Sequence, residues 1–182
     1  MNLTSIDIKE NKDIRKAVKK LYKSAFPKYE QAPWPLLVLL TRKSHSKITA
    51  YLDGETFCAF TVSSAINDII FIMFFAVDDA LRGQGYGCEV LSKIKRENPD
   101  KNVILNIEPI TPDAENLEER IKRLAFYEKN GFSDTGFMAR EIGGVFSVLS
   151  TNGQVDTESY KKVFKDLSFG LWSAEIKKKE EW

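Results

Sequence analysis

A mixed α/β sandwich is the fold this chain predicts, and three features carry the prediction. Ile69 to Val77 is apolar at every position, as expected of a strand buried on both faces. Two glycine turns, Asp53-Gly54 and Gly143-Gly144, each join a pair of strand-like runs into a hairpin. Between the hairpins, strand-like and helix-like runs alternate, which calls for helices packed against a sheet.

The elements follow in order. Asn11 to Phe26 carries Ile14, Ala17, Val18, Leu21 and Ala25 at helical spacing and is stopped by Pro27. Leu36 to Leu40, after Pro33 and Pro35, begins a second short helix. Lys47 to Leu52 and Glu55 to Ser63 form the first hairpin. Gly87 to Glu97 is a helix with Val90, Leu91 and Ile94 on one face, and Pro99 lies past its end. Val103 to Glu108 is the next strand. A helix over Ala114 to Lys129, striped by Leu117, Ile121, Leu124 and Ala125, stops at Asn130-Gly131. Phe132 to Ile142 and Val145 to Leu149 make the last hairpin. Glu158 to Trp172 is amphipathic, with Tyr160, Val163, Phe164 and Leu167 to pack on the body. Lys177 to Trp182 reads as a frayed charged tail.

At 182 residues the chain is long enough for one domain spanning 1–182 and too short to expect two. The balance of 27 basic to 26 acidic side chains leaves no electrostatic footprint for nucleic acid or a membrane surface. The longest apolar runs fall short of a membrane span, and the N-terminus lacks the pattern of a signal peptide. Cys58 and Cys88 make neither a disulfide framework nor a zinc set, so no metal is expected and a reducing cytoplasm is the simplest home. Cys88 is read as a small buried filler. The lone histidine, His45, lies in a polar loop and is assigned nothing.

The most informative stretch is Asp79-Ala80-Leu81-Arg82-Gly83-Gln84-Gly85-Tyr86-Gly87, between the apolar strand and the following helix. Its glycines remove Cβ atoms where a ligand must approach the backbone. The first turn of the helix leaves N–H groups without intrahelical partners at the positive end of its dipole. Together these suit a phosphate or pyrophosphate. A dinucleotide fingerprint fails in both registers, because Cys88 or Val90 stands at the third glycine position, and a P-loop fails because Cys88 follows Gly87.

What fits is Arg82-x-x-Gly85-x-Gly87. It resembles the acyl-CoA pyrophosphate loop of the GNAT superfamily of N-acyltransferases. A second segment, Arg123-Leu124-Ala125-Phe126-Tyr127-Glu128-Lys129-Asn130-Gly131-Phe132, is similar to that superfamily's other motif, a helix ending in Tyr-Glu-Lys-x-Gly-Phe. The resemblance covers a motif-bearing core of about 47–142. It implies a mixed, mostly antiparallel central sheet flanked by helices, with a splayed strand pair forming the acyl-CoA cleft. Backbone groups of Phe75, Ala76 and Val77 would pair with the pantetheine arm, and Arg82, Gly83, Gln84, Gly85, Tyr86 and Gly87 would hold the pyrophosphate.

The implied reaction is N-acetyl transfer from acetyl-CoA to a primary amine, by direct attack in a ternary complex. An alkylammonium, with a pKa of ~10, must first lose a proton, and a thiolate, with a pKa of ~8.5, leaves better protonated. The developing oxyanion needs an N–H donor, which a backbone amide near Val77 can supply. Tyr127, the tyrosine of the second motif, is the candidate acid. Glu108 is the candidate base, directly or through a water. Period-2 alternation puts it on the same face as Asn106 and Ile104.

The chain departs from the superfamily pattern in two places. Arg120 stands where many relatives have asparagine, and an insertion, Pro109 to Glu119, precedes the helix. Arg120 or Arg123 is read as solvated or as meeting a CoA phosphate. The acidic residues Asp113, Glu115, Glu118 and Glu119 are read as complementing the helix dipole or as favouring a cationic acceptor. The acceptor, a small molecule or a peptide amine, stays open, as does a homodimer. Two rival readings remain: a non-catalytic acyl-CoA-binding or sensing module, and an interaction protein of the toxin–antitoxin type.

Overall fold

The computed structural model describes residues 1–141, 143–170 and 173–182. The outer ends of two expected segments, at Ile142 and Trp172, lie outside them, as does Leu171. The chain divides into two units, Met1–Ser64 with Ile72–Pro99, and Ala65–Phe71 with Asp100–Trp182.

The first unit carries strands β1 (Leu3–Asp7), β2 (Ser46–Asp53), β3 (Thr56–Ile66, through Ser64) and the greater part of β4 (Ile69–Val77), in that spatial order. β1 runs antiparallel to β2, with Leu3 opposite Asp53 and Asp7 opposite Thr49. β2 and β3 form the expected hairpin, with Gly54 supplying the left-handed turn at φ +60° and a bulge at Tyr51/Leu52.

Helix α1 (Lys12–Ala25) starts where the Asn11 carboxamide accepts from the N–H groups of Asp13 and Ile14, at 2.9 and 3.1 Å. It buries Val18, Leu21 and Tyr22. Helix α2 (Trp34–Leu40) carries Pro35 in its first turn, where a missing N–H is no loss. Tyr22, Phe26, Trp34, Phe60 and Phe74 form an aromatic cluster with ring centroids 4.9–6.5 Å apart. Helix α3 (Tyr86–Glu97) buries Val90, Leu91 and Ile94, as its spacing predicts.

The second unit orders its strands β5 (Asn102–Ile107), β7 (Gly144–Ser150), β6 (Ser133–Glu141) and β8 (Glu175–Lys178). All these pairings are antiparallel, with Ile107 opposite Ser147 and Met138 opposite the same residue from the other side. Helix α5 (Thr157–Leu167), capped by Asp156, buries Tyr160, Val163, Phe164 and Leu167 as expected. The fold class is the one predicted, a mixed α/β arrangement of mostly antiparallel strands with flanking helices.

Three expectations need correction. Residues 177–182 are not a frayed tail. Lys177 and Lys178 belong to β8, opposite Met138 and Phe137, and Arg140 lies 4.9 Å from the Trp182 ring. β1 was not expected at all. The helix expected from Ala114 is α4 (Leu117–Lys129), and its apolar stripe holds at Leu117 and Leu124 but fails at Ile121 and Ala125, which are exposed. Ile121 is 48% exposed and no α4 residue is fully buried. Its more sheltered positions are Leu117, Arg120, Leu124, Phe126 and Tyr127, so a charged residue occupies the inward register.

Candidate active site

In the first unit, β4 ends in Phe75, Ala76 and Val77, and the chain then turns sharply. The Asp78 N–H donates to the Cys58 carbonyl at 2.8 Å, and its carboxylate accepts from the Ala80 N–H at 3.0 Å. A single helical turn, Asp79–Leu81, follows. The Gln84 side chain folds back to donate to the Ala80 carbonyl at 3.0 Å. Gly83 and Gly85 sit at φ +77° and +90°, the left-handed region that favours glycine. A Cβ built on Gly83 would meet nothing within 4 Å, so glycine is needed there for its conformation and not for space.

Gly85 is also the N-cap of α3 and has no side chain to satisfy the first turn. The helix closes its first bond only at the Glu89 N–H, 3.1 Å from the Gly85 carbonyl. The preceding turn therefore presents backbone donors at the positive dipole end. Arg82 pairs with Asp79 at 2.6 Å, both largely exposed, so any anion binding Arg82 would compete with one carboxylate. The Tyr86 hydroxyl donates to Asp53 at 3.2 Å and ties the start of α3 to the β2–β3 turn. Desolvation, and after it the Asp53 carboxylate, holds the Tyr86 phenol above its usual range.

In the second unit the segment Tyr127-Glu128-Lys129-Asn130-Gly131-Phe132 is a Schellman cap. The Phe132 N–H reaches back to the Tyr127 carbonyl at 3.1 Å and the Gly131 N–H to Glu128 at 2.9 Å, with Gly131 at φ +79°. The hydrophobic contact that accompanies this motif is Tyr127 on Phe132, with ring centroids 5.7 Å apart, and Phe126 adds a second ring at 5.1 Å. The motif thus fixes the Tyr127 ring through backbone geometry. Its hydroxyl bonds to no described residue. Burial pushes its phenol up to about 12, against a smaller opposing pull from Arg123.

Glu108 lies one residue past β5. Arg123 holds one of its oxygens at 2.7 Å and Arg120 the other at 3.2 Å, and the Asn116 amide reaches both at 3.3–3.4 Å. Arg120 also donates to the Pro109 carbonyl and to Asn116, each at 2.7 Å, which pins the 109–119 insertion against α4. The reading of Arg120 and Arg123 as merely solvated is thereby replaced, since both are paired with Glu108. Asp113, Glu115, Glu118 and Glu119 are exposed, and Glu118 pairs with Lys122. Asn116 went unnoticed in the sequence. Its only signal was an asparagine directly before a helix.

Known structures share this architecture. An acetyltransferase from Bacteroides thetaiotaomicron, titled "Putative acetyltransferase from GNAT family", aligns with a TM-score of 0.73 over 94% of this chain and 100% of its own, at 18% identity. The ribosomal-protein-S18-alanine N-acetyltransferase of Escherichia coli aligns at 0.61 over 86% and 97%, at 17% identity. An aminoglycoside 6'-N-acetyltransferase complexed with coenzyme A aligns at 0.65 over 82% and 96%, at 13% identity. The fold is therefore that of the acetyltransferases. Residues 14–132 match the model described as the acetyltransferase (GNAT) family, and the chain belongs to that family. A Bacillus subtilis protein, "Putative acetyltransferase YjbC", is 34% identical over 86 residues, which span 47% of this chain and 40% of that protein.

Proposed function

We propose that this protein is an acetyl-CoA-dependent N-acetyltransferase acting on a primary amine by direct attack. The observation that carries the reading is the Arg82–Gly87 loop. It combines two left-handed glycines, an uncapped helix start and a leading arginine in a chain of this family. Backbone donors of the loop and first turn would hold the pyrophosphate, with Arg82 exchanging Asp79 for a phosphate oxygen. Backbone groups of Phe75, Ala76 and Val77 would pair with the pantetheine arm.

Bound acetyl-CoA supplies the activated acyl group; proton management falls to the protein. Tyr127, protonated at any ordinary pH, offers its unengaged hydroxyl to the departing sulfur. Glu108 takes the ammonium proton through a water, because protein donors already engage both of its oxygens. Relatives named for a ribosomal-protein alanine and for aminoglycosides fit both peptide and small-molecule acceptors. A cytoplasmic setting suits Cys58 and Cys88, which form no disulfide.

The test is release of free CoA thiol from acetyl-CoA, with and without a panel of amines, paired with mass spectrometry of the amine products. Amine-dependent release with an acetylated product is expected. Tight acetyl-CoA binding without turnover on any amine would instead support a non-catalytic binding module.

A further inference from the structure

The second unit holds a half-buried carboxylate that has no basic partner among the described residues. Glu141 ends β6 and forms no ion pair with any described residue. Its neighbour Arg140 is turned to Glu175, at 3.3 Å, and to the Trp182 ring. Glu141 is held by neutral groups instead. The Tyr160 hydroxyl from α5 and the Asn106 amide from β5 both donate to its Oε1. The same amide also donates to the Tyr160 oxygen at 2.6 Å.

That pattern leaves acceptors over. Glu141 Oε2 accepts nothing from a described residue. It is not sealed off either, since Asn106 Oδ1 is the one buried side-chain polar atom without a partner among the described residues. The surroundings are aromatic, with Tyr160 stacked on Phe164 at 5.6 Å and Phe71 edge-on to both. Once ionised, the carboxylate would repel an anion, and an alcohol has a single donor to give. A primary ammonium brings three donors and no acceptor, and its charge suits both a carboxylate and aromatic faces.

We propose that Glu141, Asn106 and Tyr160 form a receptor for a primary ammonium group, the acceptor of the transfer proposed above. It rests on that reading for the fate of the amine, not for its binding. Burial raises the Glu141 carboxyl to about 8, against the hydrogen bonds from Tyr160 and Asn106. Without ligand at neutral pH it is therefore mostly protonated, and Tyr160, the other titratable group facing it, is neutral too. An arriving ammonium keeps its own protons, pairs with the carboxylate and sends the Glu141 proton to solvent. Up to one proton is released per amine bound.

The experiment uses the full chain without acetyl-CoA and 1,4-diaminobutane as probe, with 1,4-butanediol as its uncharged counterpart. NMR should show saturable shifts of the Asn106 side-chain amide and the Tyr160 ring with the diamine and none with the diol. Calorimetry in two buffers of different ionisation enthalpy should show proton release. Glu141→Gln should weaken diamine binding at least ~10-fold and abolish that release. Absence of saturable shifts at Asn106 in the wild type overturns the proposal without any variant, as does unchanged affinity in a folded Glu141→Gln protein. Amine binding without acetyl transfer would remove the transferase reading alone. Transfer indifferent to Glu141→Gln would remove this site alone.

Discussion

The Arg82–Gly87 loop and the polar residues of the second unit are built by different means. The loop is shaped by its own backbone, through glycines at φ +77° and +90°, an Asp78 cap and a helix that starts immediately after. Nearly everything that defines it lies within ten residues. Glu108 takes its form from Asn116, Arg120 and Arg123, while Glu141 takes its own from β5 and α5, with Asn106 and Tyr160 54 residues apart. A site made of backbone can be read from spacing. One made of distant side chains requires the fold.

Tyr127, like the loop, is placed by local backbone geometry, and its substitution should give the largest effect. The Schellman cap fixes its ring and leaves its hydroxyl unengaged, so Tyr127→Phe should preserve stability and acetyl-CoA affinity. Loss of a general acid is worth ~10²–10⁴-fold in kcat when chemistry limits turnover. With the phenol pushed up to about 12, the acid form persists through pH 10, so wild type and variant should share the same profile shape up to that point. A steady-state pH series checks both statements. A kcat within a few-fold of wild type would make the tyrosine purely a cap residue.

The next effect tests burial in the second unit. Glu141 is raised from the ordinary 4.5 to about 8 in the folded protein. Its folded pKa lies above its unfolded one, so its contribution to stability is complete below about pH 4.5. That contribution declines as pH rises and is lost on passing through 8, with a slope of up to ~1.4 kcal/mol per pH unit between the two values. Denaturant melts of the amine-free protein should show lower stability at pH 9 than at pH 6. Glu141→Gln should flatten that difference. An equal slope in the variant would place the titration elsewhere.

The smallest effect concerns the C-terminal strand. Trp182 contacts Arg140 and Lys177 at 4.9 and 5.7 Å while staying 38% exposed. Trp182→Ala should cost no more than ~1 kcal/mol in a denaturant melt. A much larger loss would mean that β8 depends on this one ring.

Most of the fold was legible because it rests on local pattern: the wholly apolar β4, the Asp53-Gly54 turn, and the stripes of α1, α3 and α5. The failures share one physical cause, dependence on partners outside the element itself. β1 and β8 are short strands whose neighbours, β2 and β6, lie about 40 residues away along the chain. α4 was misread because Arg120, paired with Glu108, takes an inward position that periodicity assigns to Ile121. The same cause kept Asn116 and the Glu141 group out of view.

The central claim is that the Arg82–Gly87 loop holds acyl-CoA through its backbone, and a titration of acetyl-CoA tests it most directly. Gly85 is a poor probe, since at φ +90° any side chain strains the turn whether or not a ligand approaches. Gly87 lies inside α3 and outside the left-handed region, so Gly87→Val adds bulk at little backbone cost. Two lost bonds to a charged phosphate, at ~1.5–3 kcal/mol each, correspond to at least ~10²-fold weaker binding. Calorimetry should show that loss in Gly87→Val with circular dichroism unchanged, and wild-type affinity in Tyr127→Phe. Wild-type affinity in a folded Gly87→Val protein would contradict the assignment.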